Sequence, residues 1–403
     1  MLWTIFSAAL AAPLAITNAT VLPISGPPIE GGTVIISEGR ITAVGAGVAI
    51  PAGAEVFDAG GRYLMPGLID VHSHMGVYPW PSAEAHSDGN EMIDPFTPRV
   101  WAGDSVRVED PAMARARAGG ITTIQVLPGS GNLIGGESVV LKLRDSRTLA
   151  GLRFEGAPRG IKMACGENPK RVYEDDEDGP ATRMGSLAAM RGKFQEALDY
   201  REARSRREPP PVDLDLEVLL DVLDGEIRVH VHCYRHDDIE GIYRVMDRYG
   251  VQVASFQHAL EAYKVRDMII AHGTAIATWP DWWGFKMEAY DAIPQNAAMV
   301  KADGGVVALH SDSANTIQRM YTEAAKMLRY GATEPQALEM ITIDPARSLG
   351  IDRRVGTIEV GKDADFALFS HHPLDVYTRV DNTWIDGILV FDRAEEGTPD
   401  ARP

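Results

Sequence analysis

The sequence predicts an α/β protein: a (β/α)8 TIM barrel joined to a small β-sandwich domain built from both chain ends. Three observations carry this expectation. The two ends of the chain share one pattern, short β-branched runs separated by glycine turns, which reads as antiparallel sheet. Between them the period changes, and apolar strand candidates alternate with helical stretches. At 403 residues the chain exceeds one small core and suits a barrel with an appendage.

Taken in order, Met1 to Pro13 is apolar and ends in small residues, as in the core and cleavage region of a signal peptide, but carries no positive charge at its start. Residues 1–13 are therefore read as dispensable for the fold. A cytoplasmic protein is the first expectation, and an exported one if this stretch belongs to a signal peptide. Residues 14–64 together with 350–393 are assigned to the β-domain, through runs such as Ala15 to Leu22, Gly32 to Ser37, Arg40 to Val44, Gly356 to Phe369 and Asn382 to Phe391. Residues 65–349 are assigned to the barrel. Its strand candidates are Leu68–His74, Ile121–Leu127, Ser138–Leu143, Gly160–Ala164, Ile227–His232, Gln252–His258, Thr274–Trp279 and Gly305–Asp312. Eight β/α units over about 250 residues is what a closed barrel requires. Helices are expected from Asp110 to Ala118, Arg183 to Arg207, Asp237 to Tyr249 and Ile317 to Tyr330, the second stopped by Pro209, Pro210 and Pro211. The five acidic residues from Glu174 to Asp178 read as a solvated loop.

Composition narrows the function classes. Apolar residues make up 45% and charged residues 24% of the chain, ordinary values for a globular protein. The 39 basic and 57 acidic side chains leave a net charge of −18, which argues against a nucleic-acid partner. Beyond the first residues no segment approaches the ~18 apolar residues of a membrane span. Two cysteines, Cys165 and Cys233, are too few for a disulfide scaffold or a cysteine-rich zinc site. A small-molecule substrate is the remaining partner class, and the sequence leaves a homo-oligomer open.

The chemistry gathers at strand ends. In a barrel the loops at the strand C-termini build the site, so polar residues there are functional candidates. The first strand ends in His72 and His74, the fourth in Lys162 and Glu167, the fifth in His230 and His232, the sixth in His258, the eighth in His310 and Asp312. Residues i and i+2 of a strand point to the same side, so His72 and His74 can offer two nitrogens to one metal ion. Imidazoles and carboxylates without thiolate suit Zn2+, with Mn2+ or Fe2+ as alternatives, one or two ions being bound. Such an ion makes hydroxide available near neutral pH, and Asp312 is placed to move the proton from water to a leaving nitrogen.

This order of donors, within a β-domain that closes on Gly361-Lys-Asp-Ala-Asp365, resembles the amidohydrolase superfamily of metal-dependent hydrolases from Leu14 to Arg393. The stretches His72 to Pro81, Gly166 to Lys170 and Trp282 to Tyr290 are similar to an imidazolonepropionase-like branch that includes many uncharacterised amidohydrolases. The resemblance implies hydrolysis of a C–N bond in an amide, cyclic amide or peptide-like substrate. The alternatives are deamination of an amino-substituted ring and a non-catalytic scaffold of the same fold. It also implies His72, His74, His232, His258 and Asp312 as metal ligands. His232 is preferred to His230 because Cys-Tyr-Arg235 follows it as in the family's pattern, which leaves His230 behind the ligands or in the core. Lys162, if carbamylated, or Glu167 would supply the ligand from the fourth strand. His310 shares a strand face with Asp312 and is expected to orient it. Trp80, His86, Arg235, Trp279, Trp282, Trp283 and Lys286 lie on loops after strand ends and are the substrate-binding candidates. Aromatic walls would hold a planar group, and Arg235 or Lys286 would pair with a carboxylate.

Overall fold

The computed structural model describes residues 12–175 and 179–395. The leader-like residues 1–11 and three members of the acidic run, 176–178, lie outside the described residues. Among the described residues, strands form two eight-stranded sheets. The first begins with β1 (Leu14–Val21), β2 (Ile29–Ser37), β3 (Arg40–Ala46), β4 (Glu55–Asp58) and β5 (Tyr63–Pro66). The second, the barrel, comprises β6 (Leu68–Ser73), β7 (Ile121–Val126), β8 (Ile134–Lys142), β9 (Arg159–Ala164), β10 (Ile227–Cys233), β11 (Val253–His258), β12 (Ala275–Thr278) and β13 (Val307–Leu309). The chain then returns to the first sheet with β14 (Phe366–Phe369), β15 (Val380–Ile385) and β16 (Ile388–Asp392). No helix among them is long and apolar enough to cross a membrane.

The end sheet is one connected ladder, β16-β15-β14-β5-β1-β2-β3, with β4 also paired to β1. It curls on itself. Phe57 of β4 meets Trp384 of β15 edge-on with ring centroids 5.1 Å apart, and Ile16, Ile36, Ile41, Phe366, Leu368 and Trp384 share one buried core. The two chain ends thus bury each other's apolar faces, which neither could do alone.

In the barrel, β6 to β13 follow chain order around the ring. Closure comes from Asp70 of β6, buried, which accepts a hydrogen bond from the Ser311 hydroxyl and another from the Ser311 backbone N–H at 3.3 Å. The Asp312 N–H adds a bond to the His72 carbonyl at 3.1 Å. The outer layer is helical. Its best-defined member, His236–Tyr249, buries Ile239, Ile242, Val245 and Met246 on one stripe and ends at Gly250 with φ 68°, a left-handed residue that only glycine adopts freely.

One departure from eight parallel repeats stands out. β8 runs antiparallel to both β7 and β9. The chain between β7 and β8 carries no helix, and a crossover returning a strand parallel needs about a dozen or more residues. So β8 descends, and its last residue, Lys142, reaches the end of the barrel opposite the histidines. There its fully buried ammonium meets Asp363 at 2.7 Å, Asp365 at 3.0 Å and Asp386 at 2.5 Å. These three carboxylates come from the β-domain, so one lysine joins the two sheets.

Helix starts match expectation closely, but Ile317–Arg319 is a 3-10 turn before the helix Met320–Arg329. The two cysteines, 68 residues apart in sequence, are paired in a single disulfide between the ends of β9 and β10, Cα–Cα 5.4 Å. It is a staple rather than a scaffold. Closing a loop of that size restricts the unfolded chain by up to about 4 kcal/mol. Replacing both Cys165 and Cys233 by alanine is expected to lower the urea unfolding free energy by a comparable amount. An unchanged midpoint would show that the staple contributes nothing.

Candidate metal centre

The turn Met65-Pro66-Gly67 delivers the chain from the end sheet into β6. A side chain on Gly67 would sit 2.2 Å from the Thr122 side chain, so only glycine allows this approach. From there β6 carries His72, and His74 follows just past its end.

Hydrogen bonds fix which nitrogen each ring presents. His72 Nδ1 lies 2.9 Å from Gln257 Oε1, and His74 Nδ1 lies 2.8 Å from the Leu127 carbonyl. Both partners only accept, so both Nδ1 atoms donate, and each ring turns an unprotonated Nε2 inward. Those two Nε2 atoms stand 3.8 and 3.4 Å from Asp312 Oδ1. His72, His258 and His310 form a second group of converging donors, with His258 Nδ1 3.3 Å from His310 Nε2. The His232 ring meets His258 edge-on at 4.6 Å, and its Nδ1 is buried with no partner.

The electrostatics favour ligation. Burial first, reinforced by the Lys162 charge, holds every imidazole of the cluster below its ordinary pKa: His72, His232 and His258 well below, His74 and His310 to about 3. The neutral ring is the form that binds a metal. Asp312 moves the other way, to about 7, because burial and the Asp70 charge outweigh the pull of Lys162. The backbone turns sharply at two of these residues: His258 and Asp312 have φ of 72° and 48°, left-handed values that few side-chain-bearing residues adopt. Neutral imidazoles, a carboxylate and an orphaned buried ring nitrogen fit a divalent cation.

The remaining candidates fall in different places. Lys162 is fully buried, its Nζ 3.2 Å from the Pro128 carbonyl, and burial lowers its pKa to about 8 against the opposing effect of Asp312. Glu167 opens the helix Glu167–Tyr173 and pairs with Lys286 at 3.0 Å. Its turn needs Gly166, whose φ is 82° and whose added Cβ would lie 2.6 Å from Glu288 Oε1. That same Glu288 oxygen accepts the Glu167 N–H at 2.7 Å. His230 is buried and bonds Ser255 Oγ at 2.7 Å through Nδ1. His310 approaches His258, not Asp312, because β13 ends at Leu309 and the left-handed turn at Asp312 breaks the alternation that would have put both on one face. Trp80 packs its ring under Arg115, 5.1 Å away. His86 sits on an exposed turn beside Arg107, Arg235 is held by Asp237 at 2.5 Å, and Trp283 is 61% exposed.

Four contributors escape a reading of strand ends. Asp70 accepts the His72 N–H at 3.1 Å as well as closing the ring; burial pushes its pKa to about 6. It is a carboxylate inside an otherwise apolar run, which was the available signal. Gln257 sets the His72 tautomer from the position before His258. Asn168 Nδ2 stands 3.3 Å from His232 Nε2. Tyr234 stacks on His258 at 5.0 Å.

Comparison with known proteins shows the family. The Amidohydrolase family profile matches residues 63–390. The chain is 33% identical to amidohydrolase tasK of Hapsidospora irregularis over 92% of its own length, and spans 42% of the length of that relative. Imidazolonepropionase of Caulobacter vibrioides (strain NA1000 / CB15N) is 26% identical, over 85% of this chain and 88% of that one. The crystal structure of an amidohydrolase from Thermotoga maritima MSB8 matches with a TM-score of 0.89 and 36% identity, covering 94% of this chain and 100% of that one. Profile, identity and barrel all converge: the chain belongs to the amidohydrolase family.

Proposed function

We propose that the protein is a metal-dependent hydrolase of a C–N bond in a small amide or cyclic amide. One observation carries the reading: His72 and His74, each with Nδ1 committed to an acceptor, turn two free Nε2 atoms toward one carboxylate oxygen of Asp312. His72, His74, His232, His258 and Asp312 would hold the cation, with Zn2+ the natural choice for this donor set. When bound, it supplies hydroxide near neutral pH and polarises the substrate carbonyl.

The chain's own residues do the rest. Asp312, with its pKa near 7, takes the proton of the attacking water and delivers it to the leaving nitrogen. Gln257, Leu127 and Asp70 keep the imidazoles in register. For the fourth-strand ligand the placement favours Lys162 over Glu167. The lysine is buried among the imidazoles with a depressed pKa, so its neutral amine is accessible for carbamylation, whereas the Glu167 carboxylate is engaged by Lys286. Carbamylated by dissolved CO2 with loss of a proton, Lys162 would add a carboxylate-type donor to the set that holds the cation.

The test uses the purified chain. Metal analysis should find zinc, manganese or iron, and stripping it with a chelator should abolish turnover that Zn2+ restores. A panel of amides and cyclic amides should release amine or ring-opened acid, and ring amines should release little ammonia. Absence of metal uptake would sink the reading, and ammonia release as the dominant activity would replace it with deamination.

A further inference from the structure

The metal centre does not end at its imidazoles. Trp279 stacks on His258, ring centroids 4.4 Å apart and planes 17° from parallel. Trp282 stacks in turn on Trp279 at 5.1 Å and 11°. Phe285 stands edge-on to both, at 5.8 and 6.3 Å, and to Tyr234 at 6.1 Å. The result is an aromatic ladder climbing from a ligand ring toward solvent.

Exposure rises along it. Trp279 is 5% and Tyr234 6% exposed, whereas Trp282 is 41% and Phe285 50% exposed. The inner pair has structural work: Trp279 Nε1 donates to the Ser311 carbonyl at 3.2 Å, and the Lys286 ammonium lies 3.9 Å from the Tyr234 ring centre. The outer pair leaves large apolar faces in water, and packing alone gives no reason for that. Apolar surface kept open beside a polar centre marks a binding site. These rings stand on loops that follow β10 and β12 at the barrel's C-terminal mouth, where substrate arrives. Beside Tyr234 the wall turns polar: Asn168 lies against His232, and its Oδ1 is 3.3 Å from the Lys286 ammonium.

We propose that Trp282 and Phe285 are the specificity-determining residues of the site, and that the substrate is an amide carrying an aromatic ring a few bonds from its scissile C–N bond. The ring lies flat on Trp282 with its edge against Phe285, and the amide extends inward along Asn168. Offset stacking and edge-to-face contacts both reward a flat π-system over a saturated ring of the same size. This inference rests on the metal-hydrolase reading above.

Hydroxamates separate the two, because their head group binds a metal ion whatever the tail. The zinc-loaded protein is titrated calorimetrically with acetohydroxamate, 3-phenylpropionohydroxamate and 3-cyclohexylpropionohydroxamate. The phenyl compound should bind about 3- to 10-fold tighter than the cyclohexyl compound. In Trp282→Ala, Phe285→Ala and the double variant that preference should shrink toward unity, with zinc content unchanged. Both side chains are exposed, so the variants should fold, and circular dichroism checks this. Equal affinity for the two rings, or a preference that survives the double replacement, overturns the aromatic-substrate proposal while leaving the metal centre standing. Failure of all three hydroxamates to bind removes the metal-centre reading and the proposal with it.

Discussion

Asp312→Asn is expected to lower kcat/KM by at least about 100-fold, the range that separates positioned proton transfer from its absence, without unfolding the protein. Asparagine keeps the size and shape of the side chain and tolerates the left-handed φ of 48° at this position better than most residues. The backbone bond from residue 312 to the His72 carbonyl is untouched, so barrel closure survives. What disappears is a carboxylate whose pKa, raised by burial to about 7, lets it accept and return a proton near neutrality. Steady-state kinetics, zinc content and a thermal unfolding curve on the same sample check the result. Activity within a few-fold of the parent enzyme would refute the proton role. A loss of zinc alongside activity would make the residue a ligand first and a base second.

The largest stability effect is expected at the other end of the barrel. Lys142→Ala leaves Asp363, Asp365 and Asp386 around a buried hole, with Arg40 and Arg354 still on Asp363 and Arg144 still on Asp386. Burial opposes the lysine's charge, but the three carboxylates together outweigh it and raise its pKa above the usual value. Asp365 is buried too, and burial raises its pKa. Breaking a buried ion cluster by removing one partner costs about 3–5 kcal/mol, and here the loss falls on Asp365, whose ion pair is with Lys142. Urea unfolding should show that loss, whereas zinc content should hold in the fraction that remains folded. Destabilisation under about 1 kcal/mol would mean that the cluster relaxes into water and does not join the sheets.

The same lysine shows where a sequence reading stops. β8 was legible as a strand from its β-branched run, and its direction was not, because periodicity is the same read either way. Direction follows from the connection: the stretch after β7 contains glycines and no helical pattern, too little chain to return a strand parallel. Lys142 therefore sits far from the ligands, a position no local rule could supply. The disulfide is similar. Cys165 and Cys233 each end a strand, but their pairing depends on β9 and β10 being neighbours in the ring. His310 went astray because alternation was extended through Asp312, where the backbone leaves extended geometry.

The candidate donors share one kind of position. His72, His74, Lys162, His232, His258 and Asp312 all stand at or just past the ends of apolar runs, and the alternation of a strand is a property of backbone geometry that any run of such residues carries. Loop residues were read less well: His86 and Arg235 are occupied by local partners, whereas Lys286 and Trp282 stand beside the centre. Loops have no period, so their side chains answer to neighbours the sequence does not name. The sequence by itself thus determined a barrel, its end sheet and which residue types gather at its mouth. Only the tertiary structure decided which nitrogen His72 and His74 offer and what stands opposite them. Those choices depend on Asp70 meeting Ser311 across 241 residues of chain, a contact that exists only once the ring has closed.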